Sequence, residues 1–378
     1  MVEKTEKVEI DPKIKSALEG LRIPKVFGLE NRRDYQSDEH TAEMMNISNK
    51  DFYDIALKEI ELYGQKVLVY PHVNLQARIT MGCNSQCGFC IERYSSNRVS
   101  ELESLAYADR LEESIQTLQE QGIFPSVTIT GGEPCIDSSR LEGVLSVLER
   151  RGVTKYNVNT NGTFLLREPD IIERFRGKLP YLNISMHHWD PDKSSEIMGG
   201  ENNLGIDDVA KIVEQFGEIK YGNIPRLRLQ CVLLDGYVQD TNSMQEYLVR
   251  SNDAGVDDVS FRGLSTLSCG NYGTLTMVGM NRVLDNLAEA VKQQKAKGWE
   301  FVCQNIADWY CYEDWKFRTP SQTETWTDVH LNFSNMANLR RYESEEQRRG
   351  LRYVREFVVF EDGVFSTGWN KDLGFLKR

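Results

Sequence analysis

The chain has 378 residues, 40% hydrophobic and 27% charged, which is enough for one barrel-sized domain or two ordinary ones with a sizeable core. A net charge of -12 argues against a sequence-independent grip on nucleic-acid backbone. No apolar run approaches the roughly 20 residues a membrane span needs, and the charged start, MVEKTEKVEIDPKIK, lacks the apolar stretch of a signal peptide, so the expected compartment is the cytoplasm.

Residues 1–75 read as a helical extension. One helix is expected over Asp11–Leu21, with Pro12 at its first position, and another over Asp51–Tyr63. From Ala77 an alternation begins. Strands are expected at ARITM (77–81), SVTIT (126–130), KYNVNTN (155–161), LNISMH (182–187), RLRLQCVLL (226–234) and DDVSFRGL (257–264). Helices are expected between and after them, at 101–121, 139–151, 170–176, 206–216, 240–253 and 281–297. Six strand–helix units in succession predict a parallel sheet with helices outside it. The aromatic stretch from Trp299 to Phe317, with Trp309, Tyr310 and Tyr312, and a hairpin turning at Asp362-Gly363 read as a C-terminal cap over 299–378 that closes the open side of the sheet. The core is then 76–298.

Three of the eight cysteines fall in CNSQCGFC, as Cys83, Cys87 and Cys90, just after a strand. In a reducing compartment such clustering points to metal before disulfide. Three thiolates can hold three irons of a cubane, leaving the fourth open. Zinc, or an ordinary electron-transfer cluster, is the alternative on this motif alone. The next strand ends in ITGGEP. Gly131 and Gly132 let backbone approach a ligand closely and leave carbonyls to accept from an ammonium group; a tight turn is the plainer reading. Cys83, Gly131, Thr160, Ser185 and Gly236 all sit at or just past strand ends, where α/β sheets place their ligands.

On Cys83, Cys87 and Cys90, on Gly131-Gly132-Glu133-Pro134 and on the strand rhythm from Ala77 to Leu264, the chain resembles the radical S-adenosylmethionine (SAM) superfamily. Within it, NVNTNG (157–162) and NISMHH are similar to the branch containing the molybdenum-cofactor cyclase, without that branch's C-terminal second cluster. The resemblance implies a partial TIM-type (β/α)6 barrel. It implies one 4Fe-4S cluster, and SAM held by its amino and carboxylate groups on the open iron. It also implies an external one-electron reductant of flavodoxin or ferredoxin type. SAM would be cleaved reductively to a 5′-deoxyadenosyl radical, which abstracts hydrogen from a small-molecule substrate such as a nucleotide, sugar or amino-acid derivative. A maturase of a ribosomally made peptide is a second reading, and a non-catalytic iron–sulfur sensor or carrier a third. Carried over residue by residue, SAM contacts fall on Phe89, Gly131, Gly132, Glu133, Pro134, Thr160 and Ser185, with Gln230 and Leu264 in the two last units that flank ribose and adenine.

Substrate candidates come from the residues themselves. Arg226, Arg228 and Gln230 alternate along one strand face, where an arginine can grip a carboxylate or phosphate; Arg226 at a strand start in solvent is the plain alternative. Arg262 and Arg78 are pocket cations or structural ion pairs. His187 and His188 are substrate contacts, proton shuttles or structural histidines. Cys135 is a hydrogen-atom donor or a small buried side chain, with burial favoured. Cys269, Cys303 and Cys311 are spaced too loosely to argue for a second cluster.

Overall fold

The computed structural model describes residues 58–90, 101–168, 170–175, 181–200, 204–217, 226–263, 300–307, 312–320, 326–334, 353–369, 371 and 375–377. The helices expected at 11–21 and 281–297, and Leu264, Cys269, Trp299, Trp309, Tyr310 and Cys311, lie outside them. So do the side chains of Cys303 and Tyr312.

The described chain opens with β1 (Lys58–Leu62) and β2 (Gln65–Arg78), an antiparallel hairpin that turns at Tyr63-Gly64, both at positive φ. This corrects the helix expected over Asp51–Tyr63 from Lys58 onward. KEIEL alternates, burying Ile60 and Leu62 while Glu59 and Glu61 stay exposed, and that period of two fits a strand. β2 is also longer than the strand expected from Ala77. Its first half pairs with β1, and its second half starts the parallel sheet.

The parallel core then follows the expected rhythm. It comprises α1 (Ser104–Glu120), β3 (Ser126–Thr130), α2 (Ser138–Arg150) and β4 (Tyr156–Thr160). Two short helices, α3 (Thr163–Arg167) and α4 (Asp170–Phe175), lead to β5 (Tyr181–Ser185). Another pair, α5 (Pro191–Met198) and α6 (Ile206–Gly217), leads to β6 (Arg226–Val232), α7 (Thr241–Asp253) and β7 (Asp258–Gly263). Strands β2 to β7 pair in sequence order, all parallel. Helix starts follow cap chemistry. Asp137 accepts from the Arg140 amide, Asp190 caps α5 ahead of Pro191, and Asp240 forms a capping box with Ser243.

The C-terminal strands do not close the sheet, contrary to expectation. β8 (Glu300–Ala307), β9 (Tyr312–Pro320) and β10 (Trp326–Ser334) extend the β7 edge, with β10 parallel to β7. β11 (Tyr353–Val359), β12 (Phe365–Ser366) and β13 (Phe375–Lys377) extend the β2 edge. The expected turn at Asp362-Gly363 joins β11 to β12, with Gly363 at φ 80°. Both edges use strand pairing already available to them, so the sheet grows sideways into an open partial barrel.

Its two faces differ. On one, Leu75, Val127, Ile129, Val158, Leu182, Ile184, Leu229 and Phe261 are buried in the core shared with Leu111, Ile115 and Leu118 of α1 and Leu141 and Leu148 of α2. Each such side chain contributes roughly 1.5–3 kcal/mol. The opposite, inner face is polar across neighbouring strands. Asn74, Thr128, Asn157, Asn183 and Asn159 form a lateral ladder of amide and hydroxyl hydrogen bonds, 2.8–3.3 Å long. Parallel strands covered on both faces read as continuous apolar runs; alternation here marks a face whose polar side chains bond to one another.

At the amino end of this face lie Arg226 and Arg228. Asp258 and Asp328 stand directly opposite one another on β7 and β10, a repulsive pair if left alone. Arg226 bridges them (Nε to Asp258 2.8 Å, Nη2 to Asp328 2.7 Å), Arg228 donates to Asp258 at 2.7 Å, and Lys316 reaches Asp328 at 3.2 Å. The partners of both arginines are these carboxylates at the amino end, although the Arg226 side chain stays 35% exposed. They hold the floor of the barrel together. Burial alone would raise the Asp258 carboxyl, but the Arg228, His330 and Arg226 charges outweigh it and hold it well below the usual range. Its contribution is therefore present above the unfolded value of about 3.9 and is lost as pH falls below that. Asp258→Asn should cost about 3 kcal/mol in urea denaturation at pH 7, and the gap between variant and wild type should narrow below about pH 4.

Candidate active site

The cysteine loop, residues 82–90, leaves the carboxyl end of β2 and is held from three sides. The first is the glycine pair after β3. Gly132 donates to the Thr80 carbonyl and Glu133 to the Gly82 carbonyl, both at 2.7 Å. A Cβ on Gly131 would overlap the Thr80 carbonyl oxygen, and one on Gly132 the Gly82 carbonyl oxygen; Gly131 also sits at φ 141°. Only glycine fits both positions. Their own carbonyls accept no hydrogen bond from another described residue.

The second hold is a charged clamp at the loop's base. Glu101 accepts from the Thr80 hydroxyl (3.1 Å) and the Met81 amide (2.7 Å). Arg140, 4% exposed in the first turn of α2, donates to Glu101 at 2.9 Å and also to the Ile79 and Leu102 carbonyls. The third hold is on the far side. Asn161 Nδ2 donates to Asn84 Oδ1 (2.7 Å) and Ser85 Oγ (3.1 Å), and Asn84 Nδ2 donates to the Thr163 hydroxyl (2.8 Å). The Gln86 amide donates to the Met198 carbonyl at 2.7 Å, and Gly199-Gly200 follow directly.

Within this frame Cys83 is exposed, while Cys87 and Cys90 are half-buried; all three are free thiols. Three soft donors on one loop, beside backbone that carries no Cβ, suit an iron–sulfur cluster with one iron left for a ligand. Phe89 meets the His187 ring edge-to-face at 4.9 Å and joins Cys87 in an apolar cluster with Ile197, Met198, Val232, Leu234 and Tyr237. Cys135 is fully buried, and burial pushes its thiol well up.

Glu133 is 1% exposed and points inward. Its two oxygens accept from the Thr160 hydroxyl (2.6 Å), the Asn161 amide (2.6 Å) and the Cys135 amide (3.0 Å). Burial pushes its carboxyl up, only partly offset by those donors. The Thr160 hydroxyl also accepts from the Gly162 amide at 3.0 Å. These two side chains thus staple the end of β3 to the end of β4, and Pro134 starts the 3-10 turn that follows. Ser185 and Gln230 face each other across β5 and β6 on the inner face, with Ser260 next in register. Arg262 is exposed at the carboxyl end of β7, opposite Asn332. Arg78 is buried and paired with Glu361, its guanidinium over the Phe360 ring.

His187 and His188 each accept a backbone N–H at Nδ1, from Val232 (3.1 Å) and Asp190 (3.0 Å). Burial lowers both to about 4, so at neutral pH each is uncharged with its proton on Nε2. Sequence reasoning missed Glu101, Arg140, Asn84, Asn161 and Gly199-Gly200. Gly199-Gly200 is a second glycine pair after a helix and was visible in principle; Glu101 and Arg140 carry no local signal that separates them from surface charges.

The sequence that builds this site has known counterparts. Residues 78–240 match the radical SAM superfamily. The segment that carries the cysteine loop, both glycine pairs and the staple is therefore a match to the radical SAM domain; enzymes of that superfamily use a 4Fe-4S cluster and SAM. Its curated relatives include the GTP 3′,8-cyclases of Limosilactobacillus fermentum and Aquifex aeolicus. The first is 24% identical over 216 residues, 56% of this chain and 58% of the relative. The second is 22% identical over 166 residues, 44% and 49%. Molybdenum cofactor biosynthesis protein 1 of Dictyostelium discoideum is 26% identical over 170 residues, 44% of this chain and 25% of that one. The chain spans about half the length of the cyclases it matches. Among solved structures, SuiB of Streptococcus suis bound to precursor peptide SuiA aligns at 16% identity and a TM-score of 0.49, over 79% of this chain and 59% of that one.

If Glu133 works as a staple, Glu133→Ala should destabilise the protein before any cofactor is added. Removing it leaves the buried Asn161 and Cys135 amides unpaired, a loss of about 2–4 kcal/mol in denaturant melts.

Proposed function

We propose that Cys83, Cys87 and Cys90 hold three irons of one 4Fe-4S cluster, and that SAM binds beside this loop, within reach of the Gly131 and Gly132 carbonyls. The observation that carries the reading is the seating of the cysteine loop on the glycine pair. What supports it is that the Thr80–Gly82 backbone leading into the three-thiol loop packs directly on a stretch of backbone without side chains. Held by these three thiolates, the cluster would supply the electron for reductive cleavage of SAM, the chemistry that makes hydrogen abstraction from a substrate available.

The chain's own groups have distinct tasks. The Gly131 and Gly132 carbonyls accept from the SAM ammonium group. Phe89 and its apolar neighbours cover one side of the loop and keep water from the reacting centre. Ser185 and Gln230, on the inner face, contact SAM below the loop. Arg262, exposed at the carboxyl end of β7, would meet an anionic group on the substrate. The neutral His187 and His188 can donate hydrogen bonds from Nε2.

The substrate is a small polar molecule. What supports this is the carboxyl end of the inner face, where Ser185, Gln230 and Arg262 stand beyond the laterally bonded ladder. The core radical SAM unit is 76–298, flanked by residues 1–75 and 299–378. An external one-electron reductant of flavodoxin or ferredoxin type completes the system. No described helix is long and apolar enough to cross a membrane.

The test is anaerobic reconstitution with iron and sulfide, followed by dithionite and SAM. The wild type should release 5′-deoxyadenosine and methionine, and the Cys83→Ala/Cys87→Ala/Cys90→Ala variant should release neither. A protein that builds a cluster yet leaves SAM intact is a carrier or sensor. GTP is the first substrate to supply, since several relatives carry that name.

A further inference from the structure

We propose that Gly200 and Asn161 are positioning residues, which together form a second seat for the cysteine loop opposite Gly131-Gly132. The inference rests on the reading of that loop as the cluster loop. Gly200 lies at φ 65°, and a Cβ there would overlap the Asn84 carbonyl oxygen, with Ser85 Cα at 3.1 Å. Gly199, at φ 60°, would set a Cβ 3.3 Å from Gln86 Cβ. The backbone after α5 therefore lies directly on the three residues between Cys83 and Cys87, and the bond from the Gln86 amide to the Met198 carbonyl fixes its height. Asn161 closes the seat from β4. It is 6% exposed, and both ends of its amide are used. Nδ2 donates to Asn84 and Ser85, while Oδ1 accepts from the Thr163 amide (3.1 Å) and hydroxyl (2.6 Å).

The arrangement has a consequence for the cluster. Asn84, Ser85 and Gln86 set the span between Cys83 and Cys87, and the Ser85 amide donates to the Cys83 sulfur at 3.4 Å. Shifting those residues moves two of the three thiols and removes an N–H from a sulfur. Hydrogen bonds to ligating sulfurs tune cluster potential, and supporting groups around first ligands typically change metal affinity or activity about 10–100-fold when mutated.

Gly152 supplies the control. It has the same φ of 65° but no heavy atom within 4 Å of an added Cβ, in an open turn after α2. Gly152→Ala and Gly200→Ala therefore impose the same left-handed strain, and only the second meets the cysteine loop. Three readouts are compared in wild type, both alanine variants and the milder Asn161→Asp, which loses the donor at one end of the clamp. They are hydrogen exchange over 82–90 in the cofactor-free chain, iron and sulfide bound after anaerobic reconstitution, and the midpoint potential of the cluster with and without SAM.

Gly152→Ala should match wild type in all three. Gly200→Ala should lose exchange protection over 82–90 and bind less iron, and in Asn161→Asp the cluster that does assemble should show a shifted potential. Equal behaviour of Gly200→Ala and Gly152→Ala, together with an unmoved potential in Asn161→Asp, overturns the proposal. If wild type binds no iron while Gly200→Ala still loses protection, the cluster reading fails and the seat stands.

Discussion

The structure turns on one close approach, in which the backbone of Thr80 to Gly82 rests on the backbone of Gly131 to Glu133. Two hydrogen bonds hold it, and there is no room for a side chain between the strands at that point. The rest follows from this contact. The cysteine loop must leave β2 over the end of β3 and nowhere else. Glu133, the next residue, turns its carboxylate inward and ties the same point to Thr160 and Asn161 on β4. Asn161 then reaches back to Asn84 and Ser85. Loop, glycine pair, staple and amide clamp form a closed circuit, in which loosening any one member weakens the hold on the others.

Below that circuit the barrel is built in two tiers. Amide and hydroxyl side chains bond laterally across the middle strands, and ion pairs lock the amino end. Most of these polar groups are spent on one another, so they form a rigid floor. The groups at the carboxyl end are the ones placed to meet a ligand. That division of labour separates stability at one end from chemistry at the other, as barrel folds commonly do.

The strand–helix rhythm was legible over 101–263 because helix and strand periods alternate cleanly there, and the strands that were read in it coincide closely with those observed. The cysteine loop and the glycine pair were legible because each requires a residue type that little else explains. Three things were not. KEIEL sits in a charged stretch and looked helical until its partner across a tight turn was known, since strand pairing is non-local. Arg226 and Arg228 were placed on the correct face, but alternation gives no height along the strand, and the carboxylates that claim them are 30 to 102 residues away. The GGEP glutamate is read from sequence as a ligand contact; the fold shows its oxygens engaged by neighbouring strand ends, information that resides in no local pattern.

The central claim is that the fold itself seats the cysteine loop on the glycine pair, before any cofactor arrives. Amide hydrogen exchange at Gly132 and Glu133 in cofactor-free protein tests it most directly. The account predicts that both amides are protected as strongly as those within β3, because each is bonded to a carbonyl of the Thr80–Gly82 backbone that leads into the loop. Exchange of these two amides at unstructured rates, while β3 itself stays protected, would contradict it.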